Sequence, residues 1–137
     1  MAELRLRQIA LVARLALALV FLWHGLVPKI LWLSVDELAM IAAHGPAVQA
    51  LVPPATLAQF AGWAEVCLAL LLVIRRWRWP LLLAGSVLLV LLVDVALFSP
   101  HLLLQAFNPL STNLAALALC WVAWRAESAP AGETQPH

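Results

Sequence analysis

Charge is what this sequence has least of: 8 Lys and Arg and 7 Asp and Glu make up 11% of its 137 residues. Its mean hydropathy is +0.97. Soluble domains carry about 25% charged residues, and a fold exposed to water on all sides is excluded. Cysteine is almost as scarce. Cys67 and Cys120 are far apart, with no CxxC and no Cys/His grouping of metal-ligand spacing, so neither a disulfide framework nor a zinc site is suggested. No GxGxxG is present, so there is no nucleotide-binding loop. There is no nucleic-acid signature either, because the placement of the arginines has another explanation, given below.

What the sequence does have is apolar length. Four runs, at about 9–27, 56–74, 80–98 and 110–124, approach the roughly 20 residues that cross a bilayer. Arg14 and His24 alone interrupt the first. Arg5 and Arg7 precede it as in a signal peptide, but the run is too long and no small-residue cleavage site follows, so it reads as a retained span. Pro53 and Pro54 open the second run and Arg75, Arg76 and Arg78 close it; Pro80 opens the third, and Ser99 and Pro100 end it. The fourth is the shortest and begins with Ser111, Thr112 and Asn113. The expectation is an all-α integral membrane protein: a bundle of four transmembrane helices in a single domain, residues 1–125, with a disordered tail over 126–137. Ser34 to Glu37 form a capping box, and Gly45 and Pro46 mark the far end of the segment they open. This predicts a short helix in the first outer loop, lying in the interface or plugging the bundle mouth. Residues 101–107 are similar in length and apolarity, and a re-entrant course for them stays open.

Lys and Arg are retained on the cytoplasmic side of short loops. Arg5, Arg7, Arg14, Arg75, Arg76, Arg78 and Arg125 all fall on one side of a four-span arrangement and only Lys29 on the other. This predicts a multi-pass protein of the cell's inner membrane with both termini cytoplasmic. Trp77, Trp79, Trp121 and Trp124 then form an inner interfacial belt, with Trp23 and Trp32 near the outer interface.

An ionisable residue inside a span costs several kcal/mol unless it faces protein or water, which makes it a functional candidate. Counted from the outer ends of the spans, His24, Asp94 and Asn113 lie about 5 Å deep, Glu65 about 14 Å and Arg14 about 20 Å. Ala58, Gly62, Glu65 and Ala69 share one helical face, as do Arg14, Ala18, Phe21 and Gly25. Both stripes predict inward-facing charges, and a long Arg side chain spans the depth difference, so an Arg14–Glu65 ion pair is expected. An inward Glu65 turns Cys67 towards lipid, while Cys120 shares the inward stripe of Asn113 and Ala116; both thiols are expected free. His24, Asp94, His101, Asn108 and Asn113 would gather at the outer mouth with Lys29 just above. There they would shuttle protons, orient a polar head group such as a quinone carbonyl, bind an anion, or simply cap helix ends and meet interfacial water. His44 reads as the polar end of the short helix.

The stretch from Arg14 to Lys29, with Trp23-His24-Gly25-Leu26-Val27-Pro28-Lys29, is followed by Asp36-Glu37-Leu38, by Gly62-Trp63-Ala64-Glu65 and by Phe107-Asn108-Pro109-Leu110. In this order the segments resemble the DoxX-like family of small membrane proteins over about residues 10–125. The resemblance implies a four-helix fold in which Arg14, His24, Pro28, Lys29, Glu65, Asn108 and Pro109 hold the motif positions. It also implies an association with membrane redox systems.

The leading expectation is therefore an accessory subunit of a membrane redox system. Its outward-facing polar pocket, with His24, Lys29, Glu65, Asp94, Asn108 and Asn113 as candidate ligand-binding residues, would take a small or lipophilic ligand such as a quinone. Its partners would be the lipid bilayer, a redox protein and further copies of the chain. The alternative is a non-catalytic packing or assembly protein held by Arg14 and Glu65. A small carrier or channel comes third, because four short helices leave little room for an aqueous path. The sequence assigns no reaction.

Overall fold

The computed structural model describes residues 1–75, 77–106 and 108–128. Arg76, Phe107 and residues 129–137 of the expected tail lie outside the described residues. Six α-helices follow one another: α1 (Ala2–Leu26), α2 (Val35–Ala42), α3 (Pro46–Leu51), α4 (Pro54–Ile74), α5 (Trp79–Phe98) and α6 (Pro109–Ser128). A π-helical turn, Val27–Leu31, extends α1, and a 3-10 turn, Pro100–Leu104, follows α5. No strand occurs among the described residues.

Prolines set the starts. Pro46, Pro54, Pro80 and Pro109 each stand in the first turn of a helix, where the missing N–H would have no partner anyway. Three helical stretches are long and apolar enough to cross a membrane: Glu3–Leu31, Pro54–Ile74 and Trp79–Phe98. The fourth long helix, α6, is polar at both ends, with Ser111, Thr112 and Asn113 in its first turns and Arg125, Glu127 and Ser128 in its last.

Helix α1 is the centre of the bundle, packed against α4 on one side and α6 on the other; α5 packs chiefly on α6 and lightly on α4. The shared core is built from small residues and leucines, among them Ala13, Leu17, Ala18, Phe21, Leu68, Ala69, Leu72, Ala84, Leu88, Ala116 and Ala123. Small side chains let backbones approach, the usual source of helix association where the solvent is as apolar as the interface. The outer faces carry exposed Leu, Val, Phe and Trp along their length, the surface that suits hydrocarbon rather than water.

The closest approach is between α1 and α4. A Cβ added to Gly25 would stand 2.5 Å from the Gly62 carbonyl oxygen, and one added to Gly62 would stand 2.7 Å from that of Gly25. These two glycines fix the register of the pair. Just beyond, Pro28 has no N–H to continue the α-helical ladder. The chain widens into the π-turn, closed by Trp32 N–H donating to Val27 O at 2.9 Å.

Helix α2 opens as expected, with Ser34 Oγ accepting from Glu37 N–H at 3.1 Å. The return half of the capping box is absent. Ser34 N–H donates instead to Pro28 O at 2.8 Å, which frees the Glu37 carboxylate to turn inward. Gly45, at φ +91°, makes the turn into α3, a helix that the sequence reading did not separate from its neighbour.

Helix α6 runs to Ser128, three residues into the stretch expected to be disordered. The 3-10 turn occupies most of the segment for which a re-entrant course was open, with Leu102 buried and His101 exposed.

Candidate functional site

The expected partner of Glu65 was Arg14. The structure gives both residues other partners, for a reason of register. With Gly25 and Gly62 level, Arg14 lies about 16 Å along α1 from the crossing and Glu65 only about 5 Å along α4. Counting depths from the apparent ends of the apolar runs placed the two helices about one turn out of register.

Arg14, 3% exposed, instead meets the far end of α4. Its Nη1 donates to Leu72 O and Arg75 O, each at 3.2 Å, and its Nη2 to Trp77 O at 2.7 Å. The Glu127 carboxylate accepts from Nε at 2.5 Å and from Nη2 at 2.9 Å. All five guanidinium N–H groups are thereby used. Two of the carbonyls, Leu72 O and Arg75 O, belong to the C-terminal end of α4, where a cation also complements the helix dipole. Arg14 thus locks α1, α4, the following loop and α6 together. Beside it, Arg78 donates to Ser128 Oγ and stacks 4.0 Å from the Trp124 ring.

Glu65 pairs with Lys29. The π-turn folds Lys29 back into the bundle instead of leaving it above the mouth, and it is only 7% exposed. Lys29 Nζ donates to Glu65 Oε1 at 2.5 Å, and Glu37 Oε1 stands 3.8 Å from the same nitrogen. One ammonium therefore serves two carboxylates from two other helices. Burial pushes the Glu37 carboxyl up, against the opposing pull of Lys29. Glu65 Oε2 is buried and is the one buried side-chain oxygen or nitrogen without a hydrogen-bond partner among the described residues. Such an atom costs free energy unless something meets it, which marks the position as strained or functional. Val66 and Ile30 stand at the glycine crossing next to the pair. His24 is exposed one turn before Pro28, within electrostatic range of both Lys29 and Glu65.

Asp94 lies half-buried on α5 and meets neither His24 nor Lys29. It accepts from His44 Nε2 at 2.8 Å, while His44 Nδ1 faces Met40 O at 3.0 Å and its ring stacks on Phe98, centroids 4.3 Å apart. Both ring nitrogens face acceptors, an arrangement that only the doubly protonated imidazolium satisfies. Accordingly the hydrogen bond to Asp94 raises the His44 pKa, with burial opposing it. Helix α2 is thus tied near its start to the π-turn after α1 through Glu37 and just past its end to α5 through His44.

Asn108 caps α6: Ser111 N–H donates to its Oδ1 at 2.8 Å, and its Nδ2 donates to Gln105 O at 3.0 Å. Asn113 is buried on the inward face of α6. Of the expected cluster, only Lys29 and Glu65 make direct contact. Glu37, His44 and Glu127 complete the polar architecture without having been anticipated in those roles. The signal for Glu127 was present, since Asn113, Ala116, Cys120, Ala123 and Glu127 continue one face at intervals of three and four. Cys67 is exposed and Cys120 buried, both free thiols, as their facing predicted.

Against known proteins, the family model described as the DoxX-like family matches residues 18–121. No curated protein matches the chain, and no solved structure does.

Proposed function

This chain belongs to the DoxX-like family, and from that premise we propose that it is an accessory subunit of a membrane redox system whose outer polar site holds the head of a lipophilic ligand such as a quinone. The observation that carries this reading is the buried Lys29–Glu65 pair with an unpartnered carboxylate oxygen. A pair serving packing alone gains from having every oxygen met, because a half-satisfied polar network is worse than an apolar one. The ligand site proposed is narrower than the residue set expected from sequence: Lys29, Glu65 and Glu37 at the centre, with His24 beside them and Asn113 facing inward from α6. His44 and Asp94 hold the helix that covers it.

In this reading α6 crosses the membrane with α1, α4 and α5, making four spans in the inner membrane. The arginines put both termini in the cytoplasm, and the short α2 lies in the outer interface over the bundle mouth. A redox protein and further copies of the chain are its proposed partners.

The test is binding of a short-tailed quinone, offered both oxidised and reduced to its quinol, to the full chain in lipid nanodiscs, with mass spectrometry of co-purifying lipids and quinones. Glu65→Gln and Lys29→Met are expected to abolish binding while His44→Ala weakens it. Unchanged binding in both site variants would overturn the reading. The packing alternative draws support from Arg14, whose five hydrogen bonds are spent on protein. We assign that role to the Arg14 end of the bundle and ligand binding to the Lys29 end.

A further inference from the structure

The hydrogen-bonding groups left over at the Lys29–Glu65 pair specify the chemistry of what binds there. We propose that the site takes a neutral hydroxyl group on a lipophilic molecule, a phenol or the reduced hydroxyl form of a quinone, in preference to a ligand offering only carbonyl or ether oxygens. The inference rests on the reading of this site as a ligand site and goes further by assigning the polarity of the head group.

Glu65 Oε2 is 7%-exposed Glu65's remaining acceptor, buried and without a donor among the described residues. A carboxylate paired to an ammonium offers lone pairs and no hydrogen. A ligand carbonyl, ether or phosphate placed against it would set acceptor against acceptor, leaving both desolvated and unmet. A donor is required. A cationic donor fits poorly, because Lys29 Nζ already stands 2.5 Å from the other oxygen of the same carboxylate and a second positive charge would sit against it. A neutral O–H has no such conflict. Its hydrogen goes to Glu65 Oε2, and its own lone pairs face Lys29, which carries three N–H groups, donates one to Glu65 Oε1 and has Glu37 at ion-pair rather than hydrogen-bond distance. The remainder of the ligand is apolar because Gly25 and Gly62 close against the Cβ atoms of Glu65 and Lys29, and the helices that carry the pair present hydrocarbon faces.

The experiment compares 4-nonylphenol with 4-nonylanisole, its methyl ether, two probes of nearly equal shape that differ in one O–H. Binding to the full-length protein in phosphatidylcholine nanodiscs is measured by equilibrium dialysis, with partition into empty nanodiscs subtracted. The phenol is expected to bind at least about tenfold more tightly, the effect of one hydrogen bond to a charged group. Glu65→Gln, checked for helical content and thermal midpoint, is expected to erase the difference, because its amide can present a donor where the carboxylate presented an acceptor. Equal binding of the two probes by the wild-type protein overturns the hydroxyl assignment and leaves the lipophilic-ligand reading standing. A tenfold preference that persists in folded Glu65→Gln also overturns it, since the hydroxyl is then met elsewhere. Binding of neither probe, together with no binding of a short-tailed quinone in either its oxidised or its reduced form, overturns both.

Discussion

Lys29 and Glu65 are each more than nine-tenths buried, so their pairing is a matter of mutual necessity. Removing one partner leaves a bare charge in apolar surroundings, which costs about 3–5 kcal/mol, whereas replacing both by apolar groups of similar volume is close to neutral. Lys29→Met alone is therefore expected to lower the unfolding free energy in detergent by about that amount, and Lys29→Met with Glu65→Leu to recover most of it. If the site binds a ligand, the double variant regains stability and stays unable to bind, which separates the two roles of one pair. His44 makes a different prediction. Its folded pKa is raised above the ordinary value of 6.5 by the hydrogen bond to Asp94. The sign follows: the stability it contributes is complete below about pH 6.5 and is lost as the pH rises through the raised folded value. The thermal midpoint is expected to fall across that window in the wild-type protein and to stay flat there in Asp94→Asn.

The glycines that bring α1 and α4 together place the pair, so their substitution tests the element scale. Gly25→Ala and Gly62→Ala each drive a methyl group into a backbone carbonyl that has no rotamer by which to move away. Each is expected to cost about 2 kcal/mol or more and to part Lys29 from Glu65, so ligand binding falls with stability. Gly85→Ala is the control, because nothing lies within 4 Å of the added Cβ and a helical Ala is favoured over Gly. Glu127→Gln removes the charge that Arg14 grips; a loss of about 1–3 kcal/mol and faster amide exchange over residues 124–128 are expected. The helices themselves were legible from proline positions and apolar runs, and the inward faces from stripes of small residues. Register was not. It is set by where two glycines touch, and neither glycine says in sequence which partner it meets. Lys29 was misplaced because a π-turn adds one residue to a helical turn, which shifts the face that an unbroken 3.6-residue period assigns. The capping-box pattern assigns Glu37 to the Ser34 N–H, a role that the Ser34–Pro28 hydrogen bond takes over.

At the scale of the whole molecule, α1 touches both α4 and α6, and Arg75, Arg78 and Arg125 lie at one end, over Trp77, Trp124 and Trp121. An alkaline phosphatase fusion after residue 128 is expected to be inactive, and a green fluorescent protein fusion there to be fluorescent; the opposite outcome would mean that α6 does not cross. The family and the helical architecture could be read from the order of short motifs and apolar runs, because both are local properties. Which charge meets which could not, because Arg14 and Glu127 are separated by 113 positions and their meeting depends on every intervening helix. That separation has a consequence during synthesis. A guanidinium made among the first residues has to wait for a carboxylate made more than a hundred residues later. Until that last turn emerges, the nascent bundle holds an uncompensated positive charge at its Arg14 end. A chain stopped at residue 126 would retain every apolar core side chain and still lack its counter-ion, and membrane quality-control proteases would be expected to clear it faster than the complete protein.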